Sequence, residues 1–497
     1  KFEHILWVNL KECVCLKSNL NRKGENMLEN LKPERVFHYF EELTKIPRES
    51  GNEQAVSDFL YKNGKELGLE TIQDESNNII IRKPAHPDYV DHPSVVIQGH
   101  MDMVAEKADG VDHDFLTDPI PLVVDGDWVK TEGTTLGADD GIASAIGLAI
   151  MEDKEAKHPA LELLVTTNEE TTMVGARALK RENIKGRKLL NIDAEVEGIL
   201  LSGCSGGHNI IGTKKLNYVD NKMKNTFVMN INNMLGGHSG MEIHQQRGNS
   251  IKFAREALKL IEEKSPVALV SIEGGTKHNA IPRDAKVVFS SNEDDYDVDF
   301  SDLIAKYPLD KDMRVKIEKC DNAEKVLDEN DKEDILSFIE DVPHGVYSMM
   351  KEYPDIVECS NNLAIFEIKD DVLKVTISLR SSNPETFDAH TEDVSKVYEK
   401  YGFEVKKEDY YKPWAFAKES ELRNLALETY KDLFGKEMKV EVVHAALEPA
   451  VFIDTFPDME MISIGPTMKD VHSPKERLSI ESTQRTYEFV KSLLERL

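Results

Sequence analysis

Val165-Thr166-Thr167-Asn168-Glu169-Glu170-Thr171 is a short apolar strand that runs into two adjacent glutamates. Side-by-side carboxylates repel, so such a pair at the end of a buried strand asks for a cation. Further acids and imidazoles at neighbouring strand ends would complete a site for one.

Outward from the pair, the apolar pattern predicts strands over 161–167 and 189–192, with helices over 141–152 and 174–180. Upstream, Val36, Phe37, Tyr39, Phe40, Leu43 and Ile46 fall at helical spacing after Pro33, and Val56, Phe59, Leu60 and Leu67 repeat the pattern. Strands are expected over 78–82, 94–98 and 125–130. Strands that alternate with helices and are apolar on both faces indicate an α/β class, with helices packed on a mostly parallel sheet.

After Gly203-Cys-Ser-Gly-Gly207 the texture changes to α+β, with strands over 227–231, 267–272, 285–290, 363–368 and 373–379 and helices over 251–263, 331–338 and 387–401. This middle segment, 205–409, reads as an insertion, with two similar halves as one arrangement of it. From 410 the α/β texture returns with a helix over 420–434, strands over 440–444 and 461–464, and a helix over 481–497. The first domain is therefore expected to be discontinuous, 27–204 plus 410–497. Residues 1–26 lack the pattern that begins at Met27, and Arg22-Lys-Gly-Glu-Asn-Met27 is what a purine-rich ribosome-binding sequence would read as if translated. They are expected to be an upstream extension.

The chain has 497 residues, 40% hydrophobic and 31% charged, enough for two or three domains. With 62 basic and 91 acidic residues its formal charge is −29, which argues against nucleic-acid or anionic-membrane partners because both need a basic face. A small-molecule or peptide substrate fits better. No run approaches the roughly 20 apolar residues of a membrane span, and no signal-peptide succession opens the chain, so a cytoplasmic location is expected. Five scattered cysteines suit a reducing compartment; Cys13 and Cys15 are too close for a zinc ribbon.

His100-Met-Asp102 follows the apolar run Val95-Val-Ile, at the strand end where open α/β sheets present ligand-binding groups. On an extended segment its two side chains point the same way, so Asp102 can orient the imidazole of His100 toward a metal. Gly137-Ala-Asp139-Asp140-Gly141 is a glycine-flanked turn at a helix start, readable by itself as an N-cap. Asp193 ends the strand Leu189-Leu-Asn-Ile, and His472-Ser-Pro follows the strand over 461–464. Acids and imidazoles at successive strand ends suit two borderline divalent ions, one carboxylate bridging them and one glutamate of the pair left as a base.

In order and context these motifs resemble the dinuclear zinc peptidase superfamily that includes aminoacylase, peptidase T and carnosinase. His113-Asp-Phe, Asp118-Pro-Ile, Asp125-Gly-Asp-Trp128, Gly133-Thr-Thr-Leu-Gly and Gly203-Cys-Ser-Gly-Gly207 are similar to its aminoacyl-histidine (Xaa-His) dipeptidase branch. The resemblance implies a discontinuous catalytic domain with an inserted lid domain. It further implies that Asp139 bridges two metals, His100 and Asp193 complete one site, Glu170 and His472 the other, Glu169 is the general base and Asp102 orients His100. The metals it implies are two divalent ions, zinc first, with cobalt or manganese as alternatives. Gly236-Gly-His238-Ser-Gly240, His278-Asn279-Ala-Ile-Pro282 and Leu379-Arg380-Ser-Ser resemble the lid motifs, implying His238 as an oxyanion donor and Asn279 and Arg380 as contacts for a substrate carboxylate.

The implied activity is hydrolysis of unblocked dipeptides of the Xaa-His type, by a homodimer. Alternatives are an aminoacylase or tripeptidase of the same superfamily and, from another class, a catalytically silent peptide-binding protein. Ala138-Asp139-Asp140-Gly-Ile-Ala143 and His444-Ala-Ala-Leu-Glu448-Pro-Ala450 depart from the common Ala-Asp-Asn-Gly-Ile-Gly and His-Ala-Gly-Leu-Glu-Cys-Gly. Neither departure touches an expected ligand or base; the second bears on the substrate pocket.

Overall fold

The computed structural model describes residues 27–497 except Glu352, so the expected extension over 1–26 lies outside the described residues. The chain divides into two compact units. Among the described residues, one holds 27–200, Glu421–Lys439 and Asp458–Leu497; the other holds Leu201–Ser420 and Val440–Pro457. The cuts expected after 204 and before 410 thus fall after 200 and before 421, and Val440–Pro457, expected in the first domain, belongs to the second unit.

In the first unit, Glu34–Thr44 and Gln54–Glu66 form the two expected helices and bury Val36, Phe37, Phe40 and Leu43, and Val56 and Leu60. The strands that follow are β1 (Glu70–Gln73), β2 (Ile79–Lys83), β3 (Val95–His100), β4 (Val123–Asp125), β5 (Trp128–Lys130), β6 (Leu161–Thr166) and β7 (Lys188–Asn191). The main sheet of this unit runs β1-β2-β6-β3-β7 and continues to Glu460–Ser463. Its β1–β2 and β2–β6 pairs are antiparallel, while β6, β3, β7 and Glu460–Ser463 pair in parallel.

β3 and β6 are buried at every residue, as strands covered on both faces must be. One cover is the helix Ala138–Glu152, whose residues are all buried but the last. The segment expected as one strand over 125–130 is instead the hairpin β4–β5, because Asp125-Gly126-Asp127-Trp128 turns the chain.

Parallel register sets the position of the site. His100 lies opposite Thr166, Gln98 opposite Asn191, and Asn191 opposite Ser463. The C-terminal ends of four strands therefore lie side by side, and the residues just beyond them collect at one rim.

Among the described residues the second unit contains a nine-stranded sheet whose neighbouring strands pair antiparallel. The helices Ser250–Glu262, Glu329–Asp341 and Pro384–Lys400 bury Phe253, Leu258, Phe338, Phe387 and Tyr398 with the sheet in a single core. The two halves expected within 205–409 are thus joined in one sheet, through the Gly274–Phe366 pair. Gly203-Cys-Ser-Gly-Gly207 falls at the junction of the strands Ile199–Cys204 and Gly206–Lys215. Among the described residues no helix is long and apolar enough to cross a membrane.

Candidate metal centre

His100 is the last residue of β3, and its imidazole is 1% exposed. Its Nδ1 lies 3.1 Å from the Asp102 carbonyl oxygen and 3.4 Å from the Asp102 carboxylate. This leaves Nε2 to face outward, 3.1 Å from Asp139 Oδ1, 3.9 Å from Asp193 and 4.0 Å from Glu169. The H-x-D geometry expected from the sequence is present, with the backbone carbonyl of Asp102 sharing the orienting work.

Asp139 sits at the start of the helix Ala138–Glu152, in a first turn where Asp139 and Asp140 leave helical geometry. Its other oxygen, Oδ2, is 3.0 Å from His472 Nε2. One carboxylate therefore stands between two imidazoles, an oxygen toward each. His472 Nε2 also approaches Glu170, at 2.9 Å.

Asn168 takes a left-handed conformation with φ 62° just past β6, a region in which Asn is among the best tolerated residues. It turns the chain so that the backbone N–H groups of Glu169 and Glu170 both donate to the Asp102 carboxylate, at 3.0 and 3.3 Å. Ser50 Oγ donates to the same carboxylate at 2.8 Å.

Two sets of ligand atoms close enough to hold an ion share Asp139: His100, Asp139 and Asp193, and Asp139, Glu170 and His472, each set lying within 4.8 Å. A third set, His100, Glu169 and Glu170, overlaps them. The electrostatics fit cations. Burial works against charge on His100, yet hydrogen bonds that its ring donates to Asp102 and Asp139 hold its pKa well above the ordinary 6.5. Burial likewise opposes charge on His472, yet Asp139 and Glu170 raise its pKa to about 11. Burial and the Asp139 charge push the Glu170 carboxyl up, while burial of Asp139 itself is outweighed by both imidazoles, which hold it low. The cluster draws in positive charge wherever it can, and divalent ions with nitrogen and oxygen ligands match its donor set.

Residues 96–496 match the model of Peptidase family M20/M25/M40. The chain belongs to this family. A cytosol non-specific dipeptidase of Escherichia coli K12 is 32% identical over 483 residues, covering 95% of this chain and 99% of that one. A crystal structure of an aminoacylhistidine dipeptidase from Vibrio alginolyticus superposes with a TM-score of 0.82 at 31% identity, covering 96% of this chain and 98% of that chain. An aminopeptidase from Bacillus cereus shares the fold at TM-score 0.55 and 16% identity, covering 94% and 98%.

In this M20 chain the structure brings together all seven residues expected at the centre, His100, Asp102, Asp139, Glu169, Glu170, Asp193 and His472. The three expected lid residues lie in the second unit. His238 pairs with Ala280 in a two-residue ladder, and its Nδ1 accepts the N–H groups of Gly240 and Met241 at 3.2 and 3.0 Å. The Asn279 carbonyl accepts the Ser239 N–H at 2.8 Å. Arg380 Nη1 donates to the Tyr411 hydroxyl at 3.1 Å. A Cβ placed on Gly240 would meet the His238 ring at 3.2 Å and Arg380 Nε at 3.3 Å, so these two side chains converge on one glycine.

Sequence reasoning did not single out Arg48, Ser50 or Glu476, which hold this centre from behind. Arg48 and Ser50 stand between two helices with no periodic signal, and Glu476 bonds residues some 340 positions away. In the second unit, Glu448–Thr455 is an unforecast helix, and Pro449 stands in its first turn, where no N–H is needed.

Proposed function

We propose that this M20 chain is a dinuclear metal dipeptidase that cleaves unblocked dipeptides, Xaa-His among them. The observation that carries the reading is the Asp139 carboxylate, with one oxygen 3.1 Å from His100 Nε2 and the other 3.0 Å from His472 Nε2. His100, Asp139 and Asp193 would hold one ion, and Asp139, Glu170 and His472 the other, zinc being favoured by imidazole with carboxylate ligation. When bound, the ions supply Lewis acidity toward the scissile carbonyl and acidify the attacking water.

Glu169 lies beside both sets without belonging to either, and its carboxylate would take the water's proton and pass it to the leaving amine. Asp102 fixes its backbone and thus its reach. The second unit acts as the lid: Arg380 pairs its planar guanidinium with the substrate carboxylate, Asn279 contacts the same end, and His238 donates to the developing oxyanion. The breadth of the proposal, dipeptides rather than Xaa-His alone, is supported by the non-specific activity named for the E. coli relative. The same relative's cytosolic name supports a cytoplasmic location, and a homodimer belongs to the reading through the resemblance.

The test is metal analysis with hydrolysis assays on the parent and on Glu169→Ala. The parent should bind two divalent ions per chain and turn over Xaa-His and other dipeptides in preference to tripeptides and N-acyl amino acids. Glu169→Ala should keep its metal and lose about 100-fold or more in kcat. Near-parental turnover in that variant would remove Glu169 from the role of base.

A further inference from the structure

Arg48 is among the largest fully buried side chains, at 2% exposure, between the first two helices. Its Nη1 donates to the carbonyl oxygens of Met101 and Asp102 at 2.9 and 3.2 Å, and its Nη2 donates to the carbonyl of Gly137. One guanidinium thus ties the loop after β3, which carries Asp102, to the turn that carries Asp139. The fit is close: a Cβ on Gly137 or on Gly141 would stand 2.5 Å from Nη2. Gly137 also has φ 70°, which a side chain would resist.

Glu476, also 2% exposed, mirrors this with anionic charge. Its Oε2 accepts the N–H groups of Leu136 and Gly137 at 2.7 and 3.0 Å, and its Oε1 those of Ala138 and Asp139 at 2.8 and 3.3 Å. Four consecutive amides of the Asp139 turn therefore close on one carboxylate, which is four residues beyond His472. Because that loop carries His472, Glu476 ties the turn with Asp139 to the loop with the second imidazole.

The charges explain why both groups are buried at all. An unpaired buried ion is costly, so it persists only where its partners repay the cost. Burial lowers the Arg48 pKa, and Glu476, Asp102, Asp140 and Asp139 act against that.

We infer that Arg48 and Glu476 are positioning residues that set the spacing of His100, Asp139 and His472 before any metal arrives, one from the carbonyl side of the Asp139 turn and one from its amide side. The inference rests on the dinuclear reading of the centre. It assigns metal affinity, not substrate contact, to two residues that lie outside the ligand set.

The test uses Glu476→Gln, which keeps the shape but gives the four amides a mismatched amide group, and Arg48→Lys, which keeps the charge but cannot span three carbonyls. Each metal-free variant is checked for folding by circular dichroism, titrated with Zn2+ against a chelator, and loaded with Co2+ for its visible absorption spectrum. The expected result is a folded protein with metal affinity reduced about 10–100-fold and a shifted Co2+ spectrum. Parental affinity and spectrum in both folded variants would overturn the inference. So would loss of the fold in both, which would assign the pair to general stability. A parent that binds no divalent ion would instead sink the dinuclear reading itself, so the two failures are distinguishable.

Discussion

The Asp102 carboxylate accepts the backbone N–H of Glu169 at 3.0 Å while its other oxygen takes Glu170 N–H at 3.3 Å and Ser50 Oγ at 2.8 Å. A residue that faces His100 in sequence thus also fixes the start of the Glu-Glu turn. Asp102→Ala removes three hydrogen bonds at once and should lower kcat about 10–100-fold and weaken metal retention, with Asp102→Asn intermediate because one oxygen acceptor remains. Parallel kcat and metal-content measurements on the two variants check this order.

The two glutamates should fail differently. Glu170→Ala deletes the carboxylate 2.9 Å from His472 and should release metal from the set it shares with Asp139, whereas Glu169→Ala keeps it. Elemental analysis after dialysis against a weak chelator reads the difference; equal retention in both variants would contradict it.

Gly147 lies where the helix Ala138–Glu152 meets β6, and an added Cβ would stand 2.3 Å from Leu163 Cδ1. Gly→Ala in a helix gains up to ~1 kcal/mol of propensity, but overpacking a dense core costs ~1–3 kcal/mol. Overpacking is the larger effect, so Gly147→Ala should lower stability, measured as a lower urea midpoint with an unchanged slope.

Acid should weaken the second unit before ordinary carboxylates titrate. His208 and His390 are buried and held at a pKa of about 4, and His444 at about 3, burial being the main cause. In the unfolded chain these rings take protons near pH 6.5 while the folded chain refuses them. The contribution of these three rings to stability is therefore full above about pH 6.5 and falls as pH drops from there toward 4, because the unfolded state binds more protons in that window. Urea unfolding followed between pH 7 and pH 4.5, with His390→Asn as the comparison, should show a shallower decline in the variant.

Much of the fold was legible in residue patterns because helices and strands write their periods locally. Phe37, Phe40 and Leu43 on one helical face, and the apolar Val95-Val-Ile that opens β3, needed no knowledge of partners. The hairpin at Asp125–Trp128 was missed because its strands are three residues each, too short for a period to register. Val440–Pro457 was misassigned because local texture does not tell a segment which unit it packs in.

For the centre, the residue types were legible without the fold: imidazoles and carboxylates just past apolar strands, with H-x-D, a glycine-flanked Asp and a Glu pair among them. Tertiary structure decided the geometry. Parallel register brings His100 beside the end of β6, and loop closure brings His472 to within 3.0 Å of Asp139 across 333 residues of chain. Arg48 and Glu476 belong wholly to that second level, since each acts on backbone groups, and a backbone carbonyl or amide carries no mark in the sequence of which side chain will reach it.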